Sequence, residues 1–209
     1  MTGTAAGDTR LAIVVHADRV RVLVVGGGPV AERKALAFAE RGASVRVVAR
    51  RASDRLRDAA THGDLNLTLR DYGAGDIADA ELVVAATNQR DVNARIATDA
   101  RAAHRLCNVA DRADDGTFSS VAQRTTGALL VAVGANGVPA AATRVLDAIT
   151  SRFDARYGAA LEALRLLRER LLENNEASAW ESASADLLGA DFCSRVEDGR
   201  LTGEAREWR

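Results

Sequence analysis

Scarcity defines this chain before any motif does. It has two cysteines in 209 residues, Cys107 and Cys193. They are far apart and match no zinc or redox spacing, which excludes a disulfide scaffold and fits a reducing, cytoplasmic setting. Aromatic residues make up only 4% against 47% apolar residues overall, so the core must be built from Val, Leu, Ile and Ala. The formal net charge of −1 offers no electrostatic reason to expect nucleic acid or an anionic membrane as partner. No apolar run approaches the ~18 residues of a membrane span. The first ten residues lack the basic and apolar regions of a signal peptide. Lys34 is the sole lysine beside abundant arginine, a compositional bias to which no function is attached. His16, His62 and His104 are scattered without ligand spacing, so none is a metal candidate.

What is present is an alternation of strand and helix. The pattern predicts strands at about 20–25, 44–49, 65–70, 81–86 and 105–109, and helices at 29–41, 54–62 and 91–103. Pro29 suits a first helical turn and Gly42 a helix stop. Short apolar strands joined by helices predict an α/β fold, a Rossmann-like parallel sheet with helices on both faces. After Asp111 the pattern changes. Segments 118–124 and 128–134 read as a hairpin around Thr125-Thr126-Gly127, and Gly137-Val138-Pro139 opens a helical stretch running to about residue 173. A break is expected near Tyr157-Gly158, then short helices and a charged tail. The expected division is a dinucleotide-binding domain at 1–113, a small α+β hairpin-and-helix unit at 114–150 and a helical region at 151–209. The last parts are small for an independent core, so packing against another subunit is expected.

The first strand runs into Gly26-Gly27-Gly28-Pro29-Val30-Ala31. In such a loop Gly26 allows the tight turn, Gly28 lets a pyrophosphate approach the backbone, and Ala31 fills the small position where helix meets strand. The amides of the first helical turn, from Val30 onward since Pro29 has no N–H, then face the phosphate charge. An acid usually follows the second strand of an NAD site; here Arg50 and Arg51 stand there, suited to a 2′-phosphate, to stacking on adenine, or to nothing beyond a solvated turn. Thr87 and Asn88 end the fourth strand, where they serve either the ribose and nicotinamide side or the turn and helix cap. Asn108 and Asp111 end the fifth strand. A carboxylate at Asp111 could accept a proton as hydride leaves, or hold a metal, though strand-end Asp residues commonly serve only turns. The loop with Asn136 and Gly137 could offer amides to a substrate carboxylate, and Arg124 and Arg144 flank it.

V-L-V-V-G-G-G-P-V-A-E-R-K at 22–34, A-A-T-N with Asn93 downstream, C-N-V-A-D at 107–111 and the hairpin before a long helix occur together and in order. Over roughly residues 11–153 this set resembles the precorrin-2 dehydrogenase / sirohydrochlorin ferrochelatase family, the first module of siroheme synthase. The resemblance implies NAD-dependent oxidation of precorrin-2 to sirohydrochlorin, and in bifunctional members insertion of Fe²⁺ or Co²⁺. It implies a homodimer built through the hairpin-and-helix unit, Asp111 as general base and, where metal is inserted, as metal ligand, and Arg50 and Arg51 against the adenosine half of NAD. It gives weight to Arg124 and Arg144 as partners of the substrate's carboxylates. The chain departs from the family at 134–139, which lacks hydroxyls; Ala135 replaces a serine that is modified in some members, so no phosphorylation is expected there. The family's proline near Phe118 is also missing. These departures bear on substrate affinity and metal insertion more than on NAD binding. The methyltransferase domain of fused enzymes is absent from this sequence, and that step is expected from a separate protein. A non-catalytic NAD-binding regulatory domain is the alternative reading, and would need the glycine loop but no carboxylate beside it.

Overall fold

The computed structural model describes residues 10–208; the reading of the first ten residues against a signal peptide falls almost wholly outside them. The chain divides into two compact units, the first ending at Ser119 and the second beginning at Ser120. Residues 120–150 and 151–208 thus share one unit.

In the first unit five strands form one parallel sheet: β1 (Arg21–Val25), β2 (Ser44–Ala49), β3 (Asn66–Leu69), β4 (Leu82–Ala85) and β5 (Leu106–Val109), in the order β3-β2-β1-β4-β5. Val22 lies in register between Val45 and Leu82. The run Val22-Leu23-Val24-Val25 is buried on both sides because helices cover both faces. Val22 and Val24 pack with α1 (Pro29–Ala39) through Ala31 and Ala35, and with α2 (Asp54–His62) through Leu56. Leu23 and Val25 pack on the opposite face with Ile96, Ala97 and Ala100 of α3 (Arg90–Ala102). Each fully buried Val or Leu contributes about 1.5–3 kcal/mol, so the alternation itself fixes which helix lies on which face. α2 starts where the Ser53 hydroxyl accepts from the Leu56 amide at 3.4 Å and stops at Gly63, which is left-handed.

The second unit begins with the antiparallel hairpin β6 (Ala122–Thr126) and β7 (Leu129–Val133), turning at Gly127, followed by α4 (Pro139–Arg152). The expected break at Tyr157-Gly158 is corrected: it falls at Phe153-Asp154, where the Asp154 carboxylate accepts from the Arg156 amide at 2.9 Å and caps α5 (Ala155–Glu173). Gly158 lies inside α5, because a Cβ there would stand 2.1 Å from the Thr126 carbonyl oxygen of the hairpin turn. The glycine serves close packing rather than chain reversal. Three shorter helices, α6 (Ala177–Leu187), α7 (Phe192–Glu197) and α8 (Arg200–Glu207), complete a core of Tyr157, Leu164, Leu167, Leu171, Leu187, Val196 and Leu201. The first predicted hairpin strand, 118–124, is shifted to 122–126, so Thr125 and Thr126, expected in the turn, pair with Leu130 and Leu129. Its beginning runs beside β5 instead, with the Phe118 carbonyl accepting from Asn108 Nδ2 at 3.0 Å. Among the described residues no helix is long and apolar enough to cross a membrane.

Candidate active site: the carboxyl edge of the parallel sheet

From β1 the chain order runs outward both ways, through β2 and β3 on one side and β4 and β5 on the other. The point of reversal lies between β1 and β4, and open parallel sheets bind ligands outside the strand ends there. The glycine loop leaves β1 at this point, the Thr87-Asn88 loop leaves β4, and Asn108 and Asp111 leave β5.

The three glycines of the loop differ in what demands them. Gly26 has φ +130°, and a Cβ on it would stand 2.3 Å from the Ala86 carbonyl oxygen. A Cβ on Gly27 would stand 1.8 Å from the carbonyl oxygen of Arg51, and Ser53 donates its amide to the Gly27 carbonyl at 3.1 Å. These two glycines are required by the β4 and β2 loops pressed against them. Gly28 is not: nothing lies within 4 Å of the position its Cβ would take. It precedes α1, whose first residues Pro29 and Val30 are exposed while Ala31 is buried against the sheet. The protein itself gives no packing reason for a bare backbone at Gly28. A group outside the chain, approaching the helix N-terminus, does, and the donor set there suits a pyrophosphate.

At the end of β2, Arg50 is exposed and 3.6 Å from Asp71, and Arg51 is exposed above the carbonyl that meets Gly27. Thr87 is engaged within the protein. Its hydroxyl lies 2.7 Å from Asn93 Oδ1 and 3.0 Å from the Gln89 carbonyl, and its amide donates to Asn93 Oδ1 at 3.0 Å. Asn88 is exposed beside it. Asn108 is buried; its Nδ2 donates to the Phe118 carbonyl, while its Oδ1 has no partner among the described residues. An orphaned buried acceptor costs about 1–3 kcal/mol, so this oxygen suits a donor brought by a ligand. Asp111 is exposed, and its Oδ1 accepts from Asn93 Nδ2 at 2.8 Å. Cys107, just before Asn108, is buried, which pushes its thiol up to about 11 and removes it as a nucleophile.

The other predicted substrate residues belong to the second unit. Arg124 donates to Asp147 Oδ1 at 2.8 Å and to the Thr150 hydroxyl. Arg144 is exposed on α4. Asn136 and Gly137 both have positive φ in the turn that precedes α4. No group of three or more His, Cys, Asp or Glu suited to a metal forms among the described residues.

Sequence reasoning gave no structural part to Gly27 or Asn93. Three consecutive glycines were the available signal for the first. The second entered only through the family resemblance, and its contacts show only when residues 87, 93 and 111 meet in space.

Sheet order, the glycine loop and the open backbone at Gly28 define a Rossmann-class dinucleotide-binding module. Residues 13–122 match the NAD_binding_7 family, described as NAD(P)-binding. Siroheme synthase of Pseudomonas putida (strain W619) is 37% identical over 195 residues, covering 90% of this chain and 40% of that protein. Precorrin-2 dehydrogenase of Priestia megaterium is 31% identical over 137 residues, covering 65% of this chain and 67% of that protein. The chain belongs to this NAD(P)-binding family, in the group formed by siroheme synthases and precorrin-2 dehydrogenases. It spans about 40% of the length of the siroheme synthases that it matches over most of its own length. The solved structure of SirC, precorrin-2 dehydrogenase, shares the fold, with a TM-score of 0.71 at 22% identity over 95% of this chain and all of that one.

Proposed function

We propose that the protein oxidises precorrin-2 to sirohydrochlorin with NAD as acceptor, in the cytoplasm, in tetrapyrrole biosynthesis. The observation that carries this reading is an exposed carboxylate, Asp111, held at the end of β5 on the same sheet edge as the open backbone at Gly28. NAD, when bound, supplies the hydride acceptor. The oxidation also releases a proton, and Asp111 takes it. Oδ1 is occupied by Asn93, leaving Oδ2 without a hydrogen bond among the described residues. Gly28, Pro29, Val30 and the buried Ala31 hold the pyrophosphate, with Gly26 setting the turn. Arg50 and Arg51 lie along the adenosine half, and Thr87, Asn88 and Asn108 along the ribose and nicotinamide half. Arg144 and the Asn136–Gly137 turn meet substrate carboxylates. Arg124 joins them by exchanging Asp147, since exposed ion pairs of this kind contribute about 1 kcal/mol at most.

The protein acts as a homodimer on this reading. Val121, Leu130, Val138 and Val145 are between 40% and 55% exposed around β6, β7 and α4, an apolar surface that a second copy would cover. Insertion of Fe²⁺ or Co²⁺ as substrate is a second activity that the family resemblance allows, with Asp111 as the one ligand assigned. The test is anaerobic incubation of wild type and Asp111→Ala with precorrin-2 and NAD, then with either metal. Wild type is expected to form sirohydrochlorin before metal is added, and the variant to bind NAD with only residual turnover. NAD binding without turnover by the wild type would favour the regulatory reading instead.

A further inference from the structure

Asn93 sits in the first turns of α3, where its amide donates to the Gln89 carbonyl at 3.0 Å, and it is only 1% exposed. A buried Asn inside a helix is unfavourable unless its side chain is fully used. Here it is. Oδ1 accepts from the Thr87 amide at 3.0 Å and lies 2.7 Å from the Thr87 hydroxyl, while Nδ2 donates to the Thr87 carbonyl at 3.1 Å and to Asp111 Oδ1 at 2.8 Å. Both donors of the carboxamide are thus used and its oxygen accepts the Thr87 amide, beside a hydroxyl whose one hydrogen it shares with the Gln89 carbonyl.

The direction of the amide is also determined. The Thr87 backbone amide can only donate, so the oxygen of Asn93 must face it and the nitrogen must face Asp111. The exposed carboxylate is therefore steered by a buried group whose own orientation the end of β4 dictates. We propose that Asn93 is the positioning residue for Asp111, tying the loop after β4 to the carboxylate after β5 and holding one carboxylate oxygen so that the other meets the substrate. This rests on the reading of Asp111 as the proton acceptor.

Asn93→Asp tests it. The substituted carboxylate keeps the acceptors for the Thr87 amide and hydroxyl, removes both donors, to the Thr87 carbonyl and to Asp111, and sets a like charge against Asp111. The expected result is a fall in kcat of about 10- to 100-fold, the range that misplacing a catalytic group produces, with KM for precorrin-2 and for NAD within about threefold. In the Asp111→Ala background the same substitution should change residual turnover by less than about twofold, since the two residues act as one. Unchanged kcat in Asn93→Asp, or an equal loss in both backgrounds, would overturn the proposal. A second readout does not require the Asn93 variant to fold. The side-chain amide resonance of Asn93 in the otherwise native protein should move on Asp111→Ala, and an unmoved resonance also overturns the proposal. If Asp111→Ala turns over like wild type, the role of Asp111 itself fails. If that variant is inactive while Asn93→Asp is active, only the positioning role fails.

Discussion

Gly26 and Gly28 stand two residues apart, and replacing each by Ala should separate the needs of the fold from the needs of the ligand. At Gly26 the new Cβ would lie 2.3 Å from the Ala86 carbonyl oxygen, on a backbone with φ +130°. Strain in that region costs about 1–3 kcal/mol, and overpacking about as much again. At Gly28 the backbone is extended (φ −87°) and the added methyl meets no protein atom within 4 Å. Losing glycine's preference at a helix N-cap costs up to about 1 kcal/mol, and the stiffer unfolded chain returns about 0.4–1 kcal/mol, so stability should barely change. The bound pyrophosphate is what that methyl would meet, and a tenfold or greater rise in Kd for NAD is expected, about 1.4 kcal/mol or more. At a NAD concentration of 100 wild-type Kd, ligand stabilisation should fall from about 2.7 to about 1.4 kcal/mol. For a protein of this size that is a loss of roughly 3–5 °C from the NAD-induced rise in Tm. Thermal unfolding with and without NAD, alongside calorimetric titration, reads both effects. Wild-type NAD affinity in Gly28→Ala, or a ligand-free Tm as low as that of Gly26→Ala, would refute the reasoning.

Gly158→Ala should destabilise the second unit by about 1–3 kcal/mol, because its Cβ has only the Thr126 carbonyl to press against; denaturant unfolding measures it. Asp76 is buried and receives Arg70 Nη1 at 2.8 Å and the Gly73 amide at 2.9 Å, so the Arg70 guanidinium holds its carboxyl below the usual range. A depressed carboxylate contributes its stability in full above the unfolded value of about 4, and loses it as pH falls through the native value. Asp76→Asn should therefore lower stability at neutral pH by about 1–3 kcal/mol and flatten its decline in acid, as followed by urea unfolding across pH. Cys107, its thiol raised to about 11 by burial, should resist iodoacetamide at pH 8 until the protein is unfolded, as peptide mapping after labelling would show.

Much of the first unit was legible because local chemistry and packing agree there. β2 and α2 match their predicted limits, with Gly42, Ser53 and Gly63 marking the boundaries and an alternation of Val filling the strand. That the strands are parallel followed from the helices between them, whereas the order β3-β2-β1-β4-β5 is seen only in the structure. The second unit was harder to read because glycine has two uses. Gly158 reads as a breaker in sequence, yet it is the contact point between α5 and the hairpin turn, while the true break is marked only by the capping carboxylate of Asp154. The candidate site divides in the same way. Gly26, Gly28 and Ala31 announce themselves through spacing on one strand and helix. Asn93 does not, because its partners lie 6 and 18 residues away and meet it only once β4 and β5 are adjacent.

The central claim is tested most directly by the stoichiometry of one reaction. Precorrin-2 and NAD are mixed anaerobically with the purified protein, without metal, and reduced nicotinamide and sirohydrochlorin are followed together by absorbance. The account predicts that both appear in equal amounts with wild type, and that both fall to a residual rate with Asp111→Ala at NAD concentrations that saturate its loop. Sirohydrochlorin formed without reduced nicotinamide, or equal turnover in the variant, would contradict it.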